Sequence, residues 1–388
     1  MMASLKGPDP YRAVPIDPGK RAIRLVKVQP GSSPPIRCQF ISCLLEDCPP
    51  YIALSYTWGS SEHKRNIQLQ SKTCAVSKNL FAFLCRVSRD ANDSFFWIDA
   101  LCINQSCNRE RTHQVRLMKE IYSRACRVIV WLGEAASESY HKTIHLIEAT
   151  YRELCKSSPD SACSLDLSPT ERDNIISLYE HEYWSRVWIV QEVMCARELV
   201  IYWGKRTIRW ECIARVSDLP AIDRLASSPA AIIIRAKTLW GGSVSLAQLV
   251  STYIHLHSSD IRDKVFGLLG LASEEDPMQA DYSMTAEDVF EATCRVAFRS
   301  GSLARFYDKV QFGKSLRDAL AVPFTDKRLG ELARHTTQSW KAKRRNEKVH
   351  QRQVQNSINR HSTLGRVHGR AMKSHAPGWR GEKSFSDG

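Results

Sequence analysis

Apolar positions in this chain fall into short blocks whose period switches between that of a strand and that of a helix. Residues Ala22–Val28, 36–45 and Tyr51–Tyr56 (YIALSY) read as strands set apart by Pro and Gly. Short polar strands follow at 66–69 and 75–76, then a helix over Lys78–Arg89 with Leu80, Phe83, Leu84 and Val87 on one face. SFFWI (94–98) is an apolar strand closing on Asp99, and 110–125 is an amphipathic helix grouping Val115, Met118, Ile121, Tyr122 and Ala125. RVIVWL (127–132) is another buried strand, ending at Gly133-Glu134. Helical spacing resumes at 141–155 and breaks in a Ser/Pro/Asp-rich loop at 157–169. A short, strongly apolar helix then runs into a strand at 198–203. Strands alternating with helices, several apolar throughout, predict a partly parallel sheet covered on both faces. The polar pair at 66–76 reads as an antiparallel insertion.

A second block spans 246–301. Residues 260–272 (DIRDKVFGLLGLA) suggest a helix with acidic residues in its first turn, and Thr285 suggests the cap of another over about 286–300. From Thr325 onward the pattern stops. Of the net charge of +14 over 388 residues, +10 lies in that tail, with 15 Lys or Arg against 5 Asp or Glu. The first 324 residues carry only +4 and are not markedly basic. The tail (325–388) is expected to be disordered, and nucleic acid or an acidic membrane surface is a partner only through it. Thirteen cysteines at irregular spacings, with no C-x-x-C pair, fit no common zinc site and point to a reducing compartment. Neither a signal-peptide core nor an apolar run long enough to span a bilayer is present in the sequence.

Candidate chemistry centres on residues 183–204 (YWSRVWIVQEVMCARELVIYWG). Trp184, Val187, Trp188, Gln191 and Cys195 share a helical face, with Glu192 on the neighbouring stripe. Burying a carboxylate among tryptophans costs free energy unless it is paired or used. Glu192 therefore either pairs with Arg186 or Arg197 in a tryptophan core, or it does chemistry. In open α/β sheets ligands bind at the carboxyl ends of strands. Those ends carry Trp58, Asp99 with Asn104 and Gln105, and Gly133-Glu134. Trp58 reads as a core cap or a stacking surface, and Asp99 as a cap of the next turn or a ligand contact. Asn104 and Gln105 satisfy loop backbone or touch a ligand. No glycine-rich phosphate loop, nucleophile–His spacing or metal motif is visible, so neither a metal nor a bound cofactor is expected.

Together, YIALSYTWG, FFWIDALCINQ with ERTHQVRLMKEIYSRACRVIVWLG, and YWSRVWIVQEV resemble the three sequence blocks of the fungal heterokaryon-incompatibility (HET) domain. DIRDKVFGLLGLA followed by DYS resembles the segment that comes next in long family members, so the likeness covers about residues 20–300. The resemblance implies a loose N-terminus (1–19), a HET domain at 20–215, a mostly helical extension at 216–324 and the uncovered tail. It implies a flavodoxin-like or Toll/interleukin-receptor (TIR)-like α/β fold: a mostly parallel sheet flanked by helices, with an antiparallel insertion and a helical C-terminal extension. It also implies a cytoplasmic role in fungal non-self recognition and programmed cell death signalling, through self-association or other signalling proteins. Some TIR domains hydrolyse NAD with a helix Glu four residues after a Trp. Trp188 and Glu192 have that spacing, although the Cys that usually follows the Trp is Ile189 here. The resemblance thus nominates Glu192 as catalytic, Trp58, Asp99, Trp188, Asn104 and Gln105 as ligand-binding, and NAD as a substrate rather than a resident cofactor.

Overall fold

The computed structural model describes residues 9–31, 34–59, 62–90, 93–134, 139–156, 167–242, 244–273, 278–299 and 302–371. The N-terminal residues 1–8, most of the loop at 157–169 and the tail after Ala371 lie outside the described residues. One mixed sheet organises the chain. Its strands are β1 (Ala22–Val28), β2 (Arg37–Leu44), β3 (Tyr51–Tyr56), β4 (Lys64–Leu69), β5 (Lys72–Ser77), β6 (Phe95–Trp97), β7 (Arg127–Trp131), β8 (Leu199–Trp203) and β9 (Arg206–Arg209), in the order β5-β4-β2-β1-β6-β3-β7-β8-β9. The centre, β6-β3-β7-β8, is parallel. The expected mostly parallel sheet is corrected at both flanks. β1 runs antiparallel to β2 and to β6, and β8–β9 is a second antiparallel pair. The insertion at 66–76 is the antiparallel hairpin β4–β5, whose first strand docks parallel to β2. Period alone missed the flanks because β1 is buried nearly throughout and lacks the alternation of a half-exposed strand, although it belongs to a hairpin.

Alternation along the strands assigns the two layers. Phe96 of β6 and Trp131 of β7 both meet Phe83 of helix Lys78–Arg89 on one face. Trp97 points the other way and packs edge-on against Tyr122 of helix Asn108–Arg124. Ala53 pairs with Trp97 across the sheet, so Ser55, two residues on, shares that second face. Helix Trp188–Cys195 covers the sheet there, beside helix Asn108–Arg124.

Residues 183–195 do not form one helix. A 3-10 turn at Glu182–Ser185 ends at Arg186, whose extended backbone separates it from the helix beginning at Trp188. Trp184 consequently leaves the expected face and donates its indole N–H to Leu178 O at 2.8 Å. The extension is helical, and Thr285 caps Ala286–Ala297 through a capping box with Asp288. Cys43 and Cys48, which bracket the turn from β2 to β3, are joined as a disulfide, against the all-thiol expectation; ten described cysteines are free. No described helix is long and apolar enough to cross a membrane.

The expected disordered tail is corrected over its first turns. Helix Asp326–Ala371 begins immediately, and Leu329, Leu332, Ala333 and Thr336 bury one stripe of it against helices Ala286–Ala297 and Phe306–Ala319. That stripe is too short to stand out in a Lys- and Arg-rich composition. A Cβ placed on Gly313 lies 2.4 Å from Leu329 Cδ1, so the two helices touch through the glycine backbone. Gly313→Ala is expected to destabilise by about 1–3 kcal/mol through overpacking and to expose 326–371 to limited proteolysis. Unchanged urea stability and protease resistance would argue against this docking.

Candidate functional site

The carboxyl ends of β3 and β6 set the site. Asp99 opens the single turn Asp99–Cys102 directly after β6, and its Oδ1 accepts from the Ala100 N–H at 2.7 Å. Its Oδ2 accepts the Trp58 indole N–H at 2.9 Å, joining the strand ends through a ring that is 41% exposed. Gln105 Nε2 donates to the Asp99 carbonyl at 3.0 Å, so it fixes this turn from behind. Asn104 Oδ1 accepts from Ser106, and the Asn104 N–H is held by Glu110 Oε1 at 2.6 Å. Asn104 and Gln105 thus take the loop-supporting alternative.

Asn79, the second residue of helix Lys78–Arg89, sets the end of β3. Its Nδ2 donates to Thr57 O at 2.8 Å and its Oδ1 accepts from Trp131 Nε1 at 2.8 Å. Gly133 has φ +95°, and a Cβ there would lie 3.1 Å from Asn79 Oδ1. Glycine therefore serves both the turn and the close approach.

Glu192 comes up beneath these strand ends and is 2% exposed. Burial pushes its carboxyl up to about 7 against the pull of the Arg186 guanidinium; the Asp99 charge raises it further and the Ser55 hydroxyl lowers it. Its Oε2 has no hydrogen-bond partner. Ser55 Oγ also lies 2.7 Å from the Tyr183 hydroxyl, an otherwise buried polar pair. Arg186 donates to the Tyr56 carbonyl at the end of β3. Burial likewise raises the Asp99 carboxyl above its ordinary value, with Arg186 the main opposing influence and the Trp58 and Ala100 N–H groups next. The one Arg186 guanidinium thus opposes the upward shift of both carboxyl groups. Glu192 changes charge near neutrality, while the more exposed Asp99 and Trp58 form the outward rim.

Trp58, Asp99 and Glu192 are thereby brought together. Trp188 lies apart from them: its indole N–H donates to Asp263 Oδ2 at 3.0 Å, inside the C-terminal extension. Arg186, Ser55 and Tyr183 complete the site. Arg186 had entered the sequence reading only as one of two possible partners for Glu192. Ser55 had been read only as part of the strand end 55–59, without a role, and Tyr183 was missed. Among the described residues no group of three or more His, Cys, Asp and Glu side chains is placed to hold a metal ion.

Residues 51–192, from the first residue of β3 to Glu192, match the family described as Heterokaryon incompatibility protein (HET). The chain is 25% identical over 361 residues to "Heterokaryon incompatibility protein 6, OR allele" of Neurospora crassa, a match covering 74% of this chain and 53% of the relative. It is 30% identical over 93 residues to "Vegetative incompatibility protein HET-E-1" of Podospora anserina, covering 23% of this chain and 7% of the relative. The chain thus spans about half the length of the first relative and a small part of the second. No solved structure matches it significantly. The three sequence blocks, gathered at one end of the sheet, thus carry this chain's similarity to the fungal HET-domain proteins.

Proposed function

We propose that this protein acts in non-self recognition between fungal individuals, with its HET domain as a self-associating module that sets off cell death. The reading rests on the family match, which ends at Glu192, the buried carboxylate around which the site is built. Both named relatives are incompatibility proteins, which supports carrying that role over. A flavodoxin-like or TIR-like relationship is part of the proposal. It is supported by the parallel strands, which follow one another across the sheet as second, first, third and fourth in chain order, giving a switch point between β3 and β7. Inducing the protein in a fungal host and scoring viability tests the role. No loss of viability at confirmed expression, even when the protein is forced to oligomerise, would refute it.

A second reading, NAD hydrolysis, is favoured by the unpartnered Glu192 Oε2. Nicotinamide in NAD is already a cationic leaving group, so its N-glycosidic bond breaks without a strong acid, the bonding pair leaving with nicotinamide. A carboxylate stabilises the oxocarbenium-like ribosyl centre until water adds, as in glycosidases. In this reading Glu192 supplies the carboxylate, Asp99 accepts from ribose hydroxyls and the exposed Trp58 ring stacks. At 2% exposure Glu192 needs an opening step first. Nicotinamide release by purified protein, beside Glu192→Gln, tests it; no turnover by an oligomerised sample would exclude it.

A further inference from the structure

The helix that carries Glu192 is gripped by the extension at three points, all outside the segment matched by the family. At its C-terminal end, Lys237 Nζ donates to Met194 O at 3.2 Å and Ala196 O at 2.7 Å, satisfying carbonyls left open by the helix end. Ahead of its first turn, His257 forms a parallel bridge with Arg186: Val187 N donates to His257 O at 3.0 Å and His257 N to Ser185 O at 2.6 Å. The backbone that aims Arg186 at the site is thus held by the extension.

The third point is Asp263, which is nearly fully buried. One of its oxygens accepts the Trp188 indole N–H at 3.0 Å and the other accepts the Tyr282 hydroxyl at 2.7 Å. Helix Asp263–Leu269 then lies directly on the Glu192 helix. A Cβ on Gly267 would be 3.4 Å from the Trp188 ring, and one on Gly270 would be 2.8 Å from the Gln191 side-chain amide. The Asp263, Gly267 and Gly270 contacts are made to Trp188 and Gln191 and to none of the site side chains, whereas the His257 bridge also holds the backbone of Arg186.

We infer that Lys237, His257 and helix Asp263–Leu269 with Tyr282 are a clamp that seals Glu192 beneath the strand ends, with the Asp263–Trp188 hydrogen bond as its latch. Opening the latch frees Trp188–Cys195 to move off β3 and gives Glu192 access to water and ligand. Asp263 is then a positioning residue that regulates the site through Trp188. This rests on the reading that Glu192 is the functional carboxylate.

Trp188→Phe keeps the ring on Gly267 and removes only the indole N–H; Asp263→Ala removes both acceptors, and Asp263→Asn retains one. In the full chain, hydrogen exchange at the amides of 188–195 is expected to quicken on the order of tenfold in the first two variants, with partial rescue by Asp263→Asn. A second readout does not depend on activity. It is the titration midpoint of Glu192 in the folded protein, read as the pH at which the stability gained by Glu192→Gln levels off, measured with and without Trp188→Phe. Opening is expected to lower that midpoint from about 7 toward the ordinary 4.5. An unchanged midpoint, or exchange limited by global unfolding in every variant, overturns the latch. Faster exchange and a lowered midpoint without any change in cell death or nicotinamide release would uphold the latch and refute the role of Glu192.

Discussion

Glu192→Gln is expected to stabilise the protein by up to about 3 kcal/mol at pH 8 and to leave its stability unchanged at pH 4. The sign follows from the direction of the shift. Burial raises the folded-state value to about 7 from an ordinary 4.5. The folded state therefore holds this proton more tightly than the unfolded chain does. The resulting stabilisation is fully present below the unfolded value and is lost as pH rises through about 7. Above that, the wild type must keep an ionised, 2% exposed carboxylate with one oxygen unpartnered, which the neutral amide avoids. Thermal melts of both proteins across this range measure the difference. A variant less stable than wild type at pH 8 would mean that the carboxylate is ionised and satisfied by Arg186.

Glu110→Ala is expected to cost about 3–5 kcal/mol, because it strands a buried charge. Arg24, 1% exposed, makes paired contacts to both Glu110 oxygens at 2.5 and 3.2 Å. It also donates to Val14 O and Cys102 O and lies over the Tyr11 ring. With Glu110 gone the guanidinium keeps only carbonyl partners, and the Asn104 N–H loses its acceptor. The loop that carries Asp99 should loosen along with the fold. Replacing the pair together, as Arg24→Met with Glu110→Leu, should recover most of the loss, since the residual cost is then packing rather than an unpaired charge. Urea unfolding of the single and double variants decides this. A double variant no better than Glu110→Ala would show that the carboxylate acts through the loop instead of through Arg24.

Much of this architecture is legible in the residues because it is local. Strands β1, β3 and β7, helix Lys78–Arg89 and the Thr285 cap follow from period and capping chemistry, which extend over a few neighbours. The break at Arg186 is not local. It is imposed by His257, far along the chain, and no periodicity within 183–195 registers it. The same limit separates Trp188 from Glu192. Spacing shows that they occupy neighbouring stripes, but not that Asp263 covers the first and β3 the second. The meeting of Trp58 and Asp99 follows from their places at adjacent strand ends, which can be read from sequence. The clamp was not, since nothing in DIRDKVFGLLGLA reveals what its first aspartates and glycines press against.

The central proposal is that self-association of this chain, through its HET-like segment, sets off fungal cell death. The most direct measurement is viability of a fungal strain expressing the chain fused to a chemically inducible dimeriser, with and without the inducer, at matched protein abundance. Loss of viability that follows the inducer is the predicted result. Equal viability in both conditions, with dimer formation verified in the same cells, would contradict the claim.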